Sequence, residues 1–265
     1  MGRVLRKKKF HVHEPYRRPV GKISKKTAGA RRRKVRESLI KKYGRCIITG
    51  WSNPVEYQTS HIVPHALGTE IGFKDVDTTN NCMLLANGLH ALFDQFQWTV
   101  DIYSFLDFGI QSDTHCTVTL LMKKEPAPGT SCLADYVRKE LTIPVCYLPS
   151  LYVHYNVYLH HNYTSAPDYK ALFEYYLNTE DYKNLSQLRT TTEFYDYLTN
   201  KRAQEDVPSV VVDNRRMNYR IMWQYWSASH ASWEPDENIG AGLKEEYHDY
   251  LEYLNDPTYN PHTDG

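Results

Sequence analysis

The spacing of apolar residues near the N-terminus predicts a helix followed by a small unit of strands and a helix. Over Ala30–Tyr43, the residues Val35, Leu39 and Ile40 recur at helical intervals among basic residues, and Gly44 would end the helix. The elements that follow are, in chain order, two strands around an Asn-Pro turn in residues 46–64, a helix over Leu84–Phe96 and a strand over Trp98–Tyr103.

The middle of the chain carries weaker signals. Residues 104–150 mix strand-like runs, such as Cys116–Met122, with a turn at Pro126–Gly129. The segment Leu151–Leu198 is rich in Tyr and Leu and predicts helices, with a break near Pro167. We expect this region to pack on the preceding unit and to widen the binding groove of that unit.

A polar and acidic segment, Lys201–Pro208, is the predicted linker to a second and smaller module. Beyond it, Val210–Trp226 predicts strands and Leu243–Leu254 predicts a helix with one apolar side. The predicted organisation is a disordered basic arm at 1–30, a first domain at 31–200 with its core at 38–101, a module at 206–255 and a disordered tail at 256–265.

Charge is distributed unevenly although the net charge is only +1. Residues 1–45 hold 18 Lys or Arg against 2 acids, a balance of +16, whereas the other 220 residues hold 14 against 29, a balance of −15. A dense basic block releases counterions when it meets phosphates, so a nucleic-acid partner is expected. The predicted contacts are Arg31, Arg32, Arg33, Lys34, Lys41 and Lys42. The basic clusters also predict import into the nucleus, with a solvated tail as the alternative.

Cysteine usage and hydropathy exclude several classes of protein. The five cysteines, an odd number without a CxxC pair, argue against a disulfide framework and favour a reducing compartment. We expect no membrane span, because no apolar run reaches about 18 residues. The basic N-terminus has no apolar core, so it is not expected to be a secretory signal.

Three polar residues in the first unit form a candidate site for phosphodiester hydrolysis. His61 ends a predicted strand, Asn81 precedes an apolar run, and His90 lies on the predicted helix. Asp94 lies four residues after His90, so the two side chains share a helical face and can approach one cation. Hydrolysis needs a base to activate water, which a neutral histidine supplies, and a metal to neutralise developing charge.

These residues lie within four short motifs that together resemble the HNH endonuclease superfamily. The motifs are Cys46-Ile-Ile-Thr-Gly, Ser60-His-Ile-Val-Pro, Asn80-Asn81 and Gly88-Leu-His-Ala-Leu-Phe-Asp94, and they are most similar to a branch that reads AHIxP…NxLLL…LHxLFD. The resemblance implies a two-stranded hairpin and a helix that hold one divalent metal ion, Mg²⁺ or Mn²⁺, with Zn²⁺ as an alternative. It also implies that His61 is the general base, Asn81 positions a loop and His90 binds the metal.

The sequence departs from that superfamily at two positions. Many members carry an acid or histidine before the first histidine as a second metal ligand, and Ser60 stands here. Asp94 and His65 are the candidates for that ligand, and His61 itself is a further one. The two CxxC pairs of many relatives are absent, since Thr49 follows Cys46 at the third position, so no structural zinc is expected. Ser60 keeps open the alternative of a decayed core that binds DNA without cutting it.

The second module carries a dense group of aromatic residues followed by Trp233-Glu-Pro and a helix. This order resembles a chromodomain, whose pattern runs YxVxWxGY…TWEPxENL. The resemblance implies that Trp223 and Trp226 are two walls of a methyl-lysine cage. The third aromatic would fall near position 206 or 207, where none stands, and Tyr225 replaces the usual glycine. The alternative is a scaffold that packs or contacts other macromolecules.

The sequence therefore predicts an α+β protein. It would combine an HNH ββα-metal core and a helical extension with a chromodomain of three strands and a C-terminal helix. The expected function is metal-dependent endonuclease hydrolysis of DNA in the nucleus, directed to chromatin and its histone tails. By analogy with chromodomains at the ends of retrotransposon integrases, a mobile-element origin is expected. The alternatives are an inactive DNA- or chromatin-binding protein and an RNA nuclease.

Overall fold

The computed structural model describes residues 25–53, 57–123, 133, 136, 139–164, 168–204, 208–215 and 218–255. Most of the predicted arm, the turn at Pro126–Gly129, the break at Pro167 and the tail at 256–265 lie outside these ranges. The helices are α1 Lys25–Lys42, α2 His65–Glu70, α3 Asn87–Asp94, α4 Phe105–Phe108, α5 Leu148–Tyr163, α6 Tyr169–Asn178, α7 Glu180–Leu185, α8 Thr191–Gln204 and α9 Ala241–Asn255. The strands are β1 Tyr57–His61, β2 Cys82–Ala86, β3 Trp98–Asp101, β4 His115–Met122, β5 Leu141–Pro144, β6 Pro208–Arg215, β7 Asn218–Trp223 and β8 Ser232–Pro235.

Strands β1 and β2 and helix α3 form the small unit that carries the candidate site. β1 and β2 pair antiparallel with Tyr57 opposite Ala86 and His61 opposite Cys82. The predicted helix start at Leu84 was wrong, because residues 82–86 are strand β2 and the helix begins at Asn87. All five β2 residues are buried, so the run lacks the alternation that distinguishes a strand from a buried helix.

Two other boundaries at the N-terminal side also differ from the prediction. Lys25–Ala30 belongs to helix α1 and not to a disordered arm. The first of the two strands predicted in residues 46–64 is a turn, in which the Cys46 thiol accepts bonds from the backbone N–H groups of Thr49 at 3.4 Å and Ala86 at 3.2 Å. Gly44 ends helix α1 as predicted, with a φ of +60° that glycine adopts without strain.

Helix α1 packs against the strand pair through a small apolar cluster. Leu39 is fully buried there, in contact with Tyr57, Cys82 and Leu84. The guanidinium of Arg36 donates two bonds to the backbone oxygen of Tyr57 and lies over its ring. Because these contacts fix the helix on β1, its exposed basic residues keep a defined position beside the candidate site.

The extension consists of a three-stranded sheet, in the order β3-β4-β5, and four helices around α5. The strands predicted at Trp98–Tyr103 and Cys116–Met122 are confirmed as β3 and β4. Helix α5 is buried on most of its surface and forms the centre of the main apolar core. The Asp168 carboxylate caps α6 by accepting from two backbone N–H groups.

Strands β6, β7 and β8 form a second three-stranded sheet, against which α9 packs. The protein thus has the α+β class that the sequence predicts. The predicted linker began too early, because residues 201–204 are the last turn of α8. Three residues of the second module belong to the main apolar core and not to the module's own cluster: Val210, Met222 and Tyr225. The second module therefore shares a core with the extension.

Candidate functional site

His61 lies at the C-terminal end of β1, where a carboxylate and a second imidazole meet it. Its Nε2 lies 3.4 Å from Asp77 Oδ1, and Nε2 of His65, at the start of α2, lies 3.5 Å from the same oxygen. The two imidazole rings meet edge to face at 5.2 Å. We call these three residues the base cluster. Sequence reasoning missed Asp77, because helix α2 and a series of turns separate it from His61 and no fixed spacing marks the pair.

The surroundings of His61 favour its neutral form. Burial lowers the pKa of the His61 imidazole below its usual value, although its bond to Asp77 acts in the opposite direction. The charges of His65 and Arg32 lower that pKa further. A neutral imidazole that contacts a carboxylate through one ring nitrogen can accept a proton at the other. This is the state that a general base needs at neutral pH.

Asn81 is fully buried and ties the segment after His61 to the loop that carries Asp77. Its side-chain oxygen accepts from Val63 N at 2.8 Å, and its amide nitrogen donates to Val63 O at 3.0 Å and to Val76 O at 3.1 Å. A loop-positioning residue would make such contacts, and that role stays a prediction.

His90 occupies a second group of polar residues, on α3. Its Nε2 lies 3.1 Å from Asp94 Oδ2, and its Nδ1 lies 3.0 Å from the side-chain oxygen of Gln58 on β1. We call these three residues the helix cluster. Gln58 and His61 are three positions apart on β1, an odd number, so on a regular strand their side chains point to opposite faces. Among the described residues, no hydrogen bond or ion pair joins the helix cluster to the base cluster.

The helix cluster offers donor atoms for a metal ion, whose remaining ligands would be phosphate and water. Ser60 is fully buried, and its hydroxyl has no hydrogen-bond partner in the part of the chain that the structure describes. Within those same ranges, no three His, Cys, Asp or Glu residues are grouped to hold a metal. Mg²⁺ is often bound by only one or two carboxylates together with substrate phosphates. Asp94 supplies the one carboxylate of that mode and His90 adds an imidazole nitrogen, while the His65 ring contacts Asp77 and His61.

Helix α1 brings positive charge to the base cluster. Arg36 contacts the first residue of β1, whereas the charge of Arg32, one turn earlier, acts on His61 at the last residue. The basic residues 31–34 are exposed and lie in the middle of α1, on the N-terminal side of Arg36. Lys41 and Lys42 lie about 15 Å away along the helix, from its rise of 1.5 Å per residue. Their contact with a phosphate stays a prediction.

The two tryptophans predicted to form the cage contact different residues in the structure. The Trp223 indole donates to the Ser232 hydroxyl at 2.9 Å and packs against the module's own apolar cluster. The Trp226 ring instead lies under the guanidinium of Arg202, with 4.3 Å from Cζ to the ring centroid, and beside His230. Positions 206 and 207, where the third aromatic was sought, lie outside the described residues.

Comparison with known families agrees with this division of the chain. Residues 46–101 match the family model described as HNH endonuclease. Residues 205–250 match the family model described as Chromo (CHRromatin Organisation MOdifier) domain. The chain thus combines an HNH endonuclease domain with a chromodomain, as the sequence motifs predict. No curated protein and no solved structure matches it. The particular branch of the HNH superfamily stays a prediction.

Proposed function

We propose that the protein is a metal-dependent endonuclease that hydrolyses DNA phosphodiester bonds in chromatin. The observation that carries the proposal is the setting of His61 within the HNH domain. This imidazole is kept neutral by burial, is held by Asp77 and lies within the field of Arg32. Together these features supply a general base next to positive charge that can hold a scissile phosphate.

In this proposal each group of residues has a separate task. His61 takes a proton from the attacking water, and Asp77 and Asn81 keep its ring and the adjoining loop in place. The exposed basic residues Arg31, Arg32, Arg33 and Lys34 bind phosphates without regard to sequence, and Lys41 and Lys42 extend that contact. His90 and Asp94 would hold the divalent ion, Mg²⁺ or Mn²⁺. Because the helix cluster lies on the other face of β1 from His61, that ion would neutralise charge on the bound phosphate and would not activate the water that His61 deprotonates.

The chromodomain supports the chromatin part of the proposal, and the basic clusters support a nuclear location. In the described part of the chain, no helix combines the length and the hydropathy needed to cross a bilayer. Binding of methylated histone tails by Trp226 is not included, because Arg202 already covers the face of that ring. The mobile-element origin stays a prediction.

The experiment that tests the proposal follows nicking of supercoiled plasmid DNA by the full chain with added Mg²⁺ or Mn²⁺. We expect His61→Ala to abolish nicking while the thermal unfolding midpoint changes little, because the imidazole makes one side-chain hydrogen bond among the residues that the structure describes. His115→Ala is the matched control, since that histidine lies on β4 outside both clusters. Equal nicking by His61→Ala and the native chain would refute the assignment of the base. Labelled RNA of the same sequence tests the alternative substrate.

Ser60 favours a second candidate, a protein that binds DNA in chromatin without cleaving it. A buried hydroxyl replaces the acid or histidine of many HNH proteins, and the helix cluster offers only two strong ligands. Titration with Mn²⁺, followed by electron paramagnetic resonance, separates the two candidates. Saturable binding that His90→Ala abolishes supports the nuclease. Absence of binding, together with no nicking under any metal, supports the second candidate.

A further inference from the structure

Arg202, in the last turn of α8, makes three kinds of contact with the chromodomain and the extension. Its guanidinium lies over the Trp226 ring, and its Nε donates to Tyr225 O at 3.1 Å. Its Nη2 lies 3.9 Å from Asp107 Oδ1. The side chain is only 18% exposed, so the guanidinium is largely withdrawn from water while it covers the aromatic ring.

The loop that carries Trp226 is fastened to the extension on both sides of the ring. Tyr225 has a φ of +62°, a left-handed conformation that is costly for a residue with a side chain. Its ring is nevertheless buried, and its hydroxyl donates to Asp181 at 2.7 Å. After Trp226, the backbone N–H of Ala228 donates to the buried Asp101 carboxylate at 2.8 Å. These contacts hold the indole in one orientation, against α8.

We propose that Arg202 is the residue that determines what the chromodomain binds at Trp226. A guanidinium stacked at 4.3 Å occupies the region within about 6 Å of the ring centroid where a cation is attracted to an indole face. A trimethylammonium group would need the same space, and because it has no N–H it could not replace the bond that Arg202 donates to Tyr225 O. Arg202 therefore occupies this face of the Trp226 ring and excludes a methylated lysine from it.

This inference rests on the chromodomain assignment and not on cleavage, so its test and that of the nuclease can fail separately. The probe is an amidated, N-acetylated peptide containing trimethyllysine, titrated into the full chain. The observable is the indole N–H resonance of Trp226, identified by its loss in Trp226→Phe. We expect no saturable shift for the native chain at millimolar peptide. Arg202→Ala should bind the probe at least tenfold more tightly.

Arg215→Ala is the matched control, because Arg215 covers a different tryptophan of the module, the exposed Trp233, at 5.0 Å. It should behave as the native chain at Trp226. Saturable binding by the native chain that Arg202→Ala leaves unchanged would overturn the proposal, as would no gain of binding in a folded Arg202→Ala.

A second measurement does not require removal of Arg202. In the native chain, the ring current of Trp226 should move the Arg202 Nε–H resonance upfield, and Trp226→Leu should return it towards the range of exposed arginines. An unshifted Arg202 resonance in the native chain would refute the stacking on which the proposal depends.

Discussion

Replacing Asn81 by alanine removes the side chain that joins the segment after His61 to the loop carrying Asp77. Three hydrogen bonds are lost, two to the backbone of Val63 and one to Val76 O. At about 1 kcal/mol each, their loss lowers the free energy of unfolding by about 3 kcal/mol. The buried backbone of Val63 makes this a lower bound, because its N–H and C=O groups are left without partners.

The assay for this prediction is thermal unfolding followed by circular dichroism. A loss of about 3 kcal/mol corresponds to a fall of roughly 6 to 12 °C in Tm for a chain of this size. Asn80→Ala is the matched control, because it makes the same change at the exposed neighbouring position and should shift Tm by less than about 2 °C.

Asn81→Asp separates hydrogen bonding from the space that the side chain fills. The carboxylate has the same shape, but its second oxygen faces the carbonyl oxygens of Val63 and Val76. We therefore expect Asp to be no better tolerated than Ala. If Asn81→Ala and Asn80→Ala proved equally stable, the argument that this side chain holds the loop would be refuted.

Three further predictions follow from the buried polar groups. Asp77→Asn should lower the pKa of His61, since the carboxylate raises it, and an NMR titration that found the imidazole pKa unchanged would contradict the contact. Burial lowers the pKa of His154 to about 3, so below pH 6.5 the unfolded chain binds a proton there that the folded chain does not. The free energy of unfolding therefore falls as the pH drops below 6.5, and urea titrations should show a shallower fall for His154→Gln. Tyr225→Phe should cost about 1.5 kcal/mol, because the carboxylate of Asp181 loses a buried donor, and an unchanged Tm would contradict that role.

The parts of the fold that could be predicted from the sequence are those with a local signal. Helix α1 ends at Gly44, where positive φ is required, and β4 shows the strand-forming residues that marked it. The start of α3 was misplaced because β2 is buried on both faces and shows no alternation. The end of α8 was taken for a linker, since its polar residues are equally common in helices and in loops.

In the candidate site, too, the sequence could predict the residues within local motifs but not their partners. The motifs locate His61 and His90, because their spacing is fixed by local elements. The partners of these two residues come from elsewhere in the chain, Asp77 from a loop and Gln58 from a strand. Arg202 lies outside the chromodomain motif altogether, so no pattern within that motif points to it. Such partners depend on tertiary packing and could be found only in the folded chain.

The burial of Tyr225 in the extension has a consequence for where the protein would cut. Its ring, together with Val210 and Met222, makes the main core continuous between the two domains. A nuclease on a flexible tether would scatter its cuts over the whole reach of the tether. With the domains joined through one core, the base cluster keeps a fixed offset from whatever the chromodomain contacts. Breaks in chromatin would then fall at one constant spacing from the site of attachment.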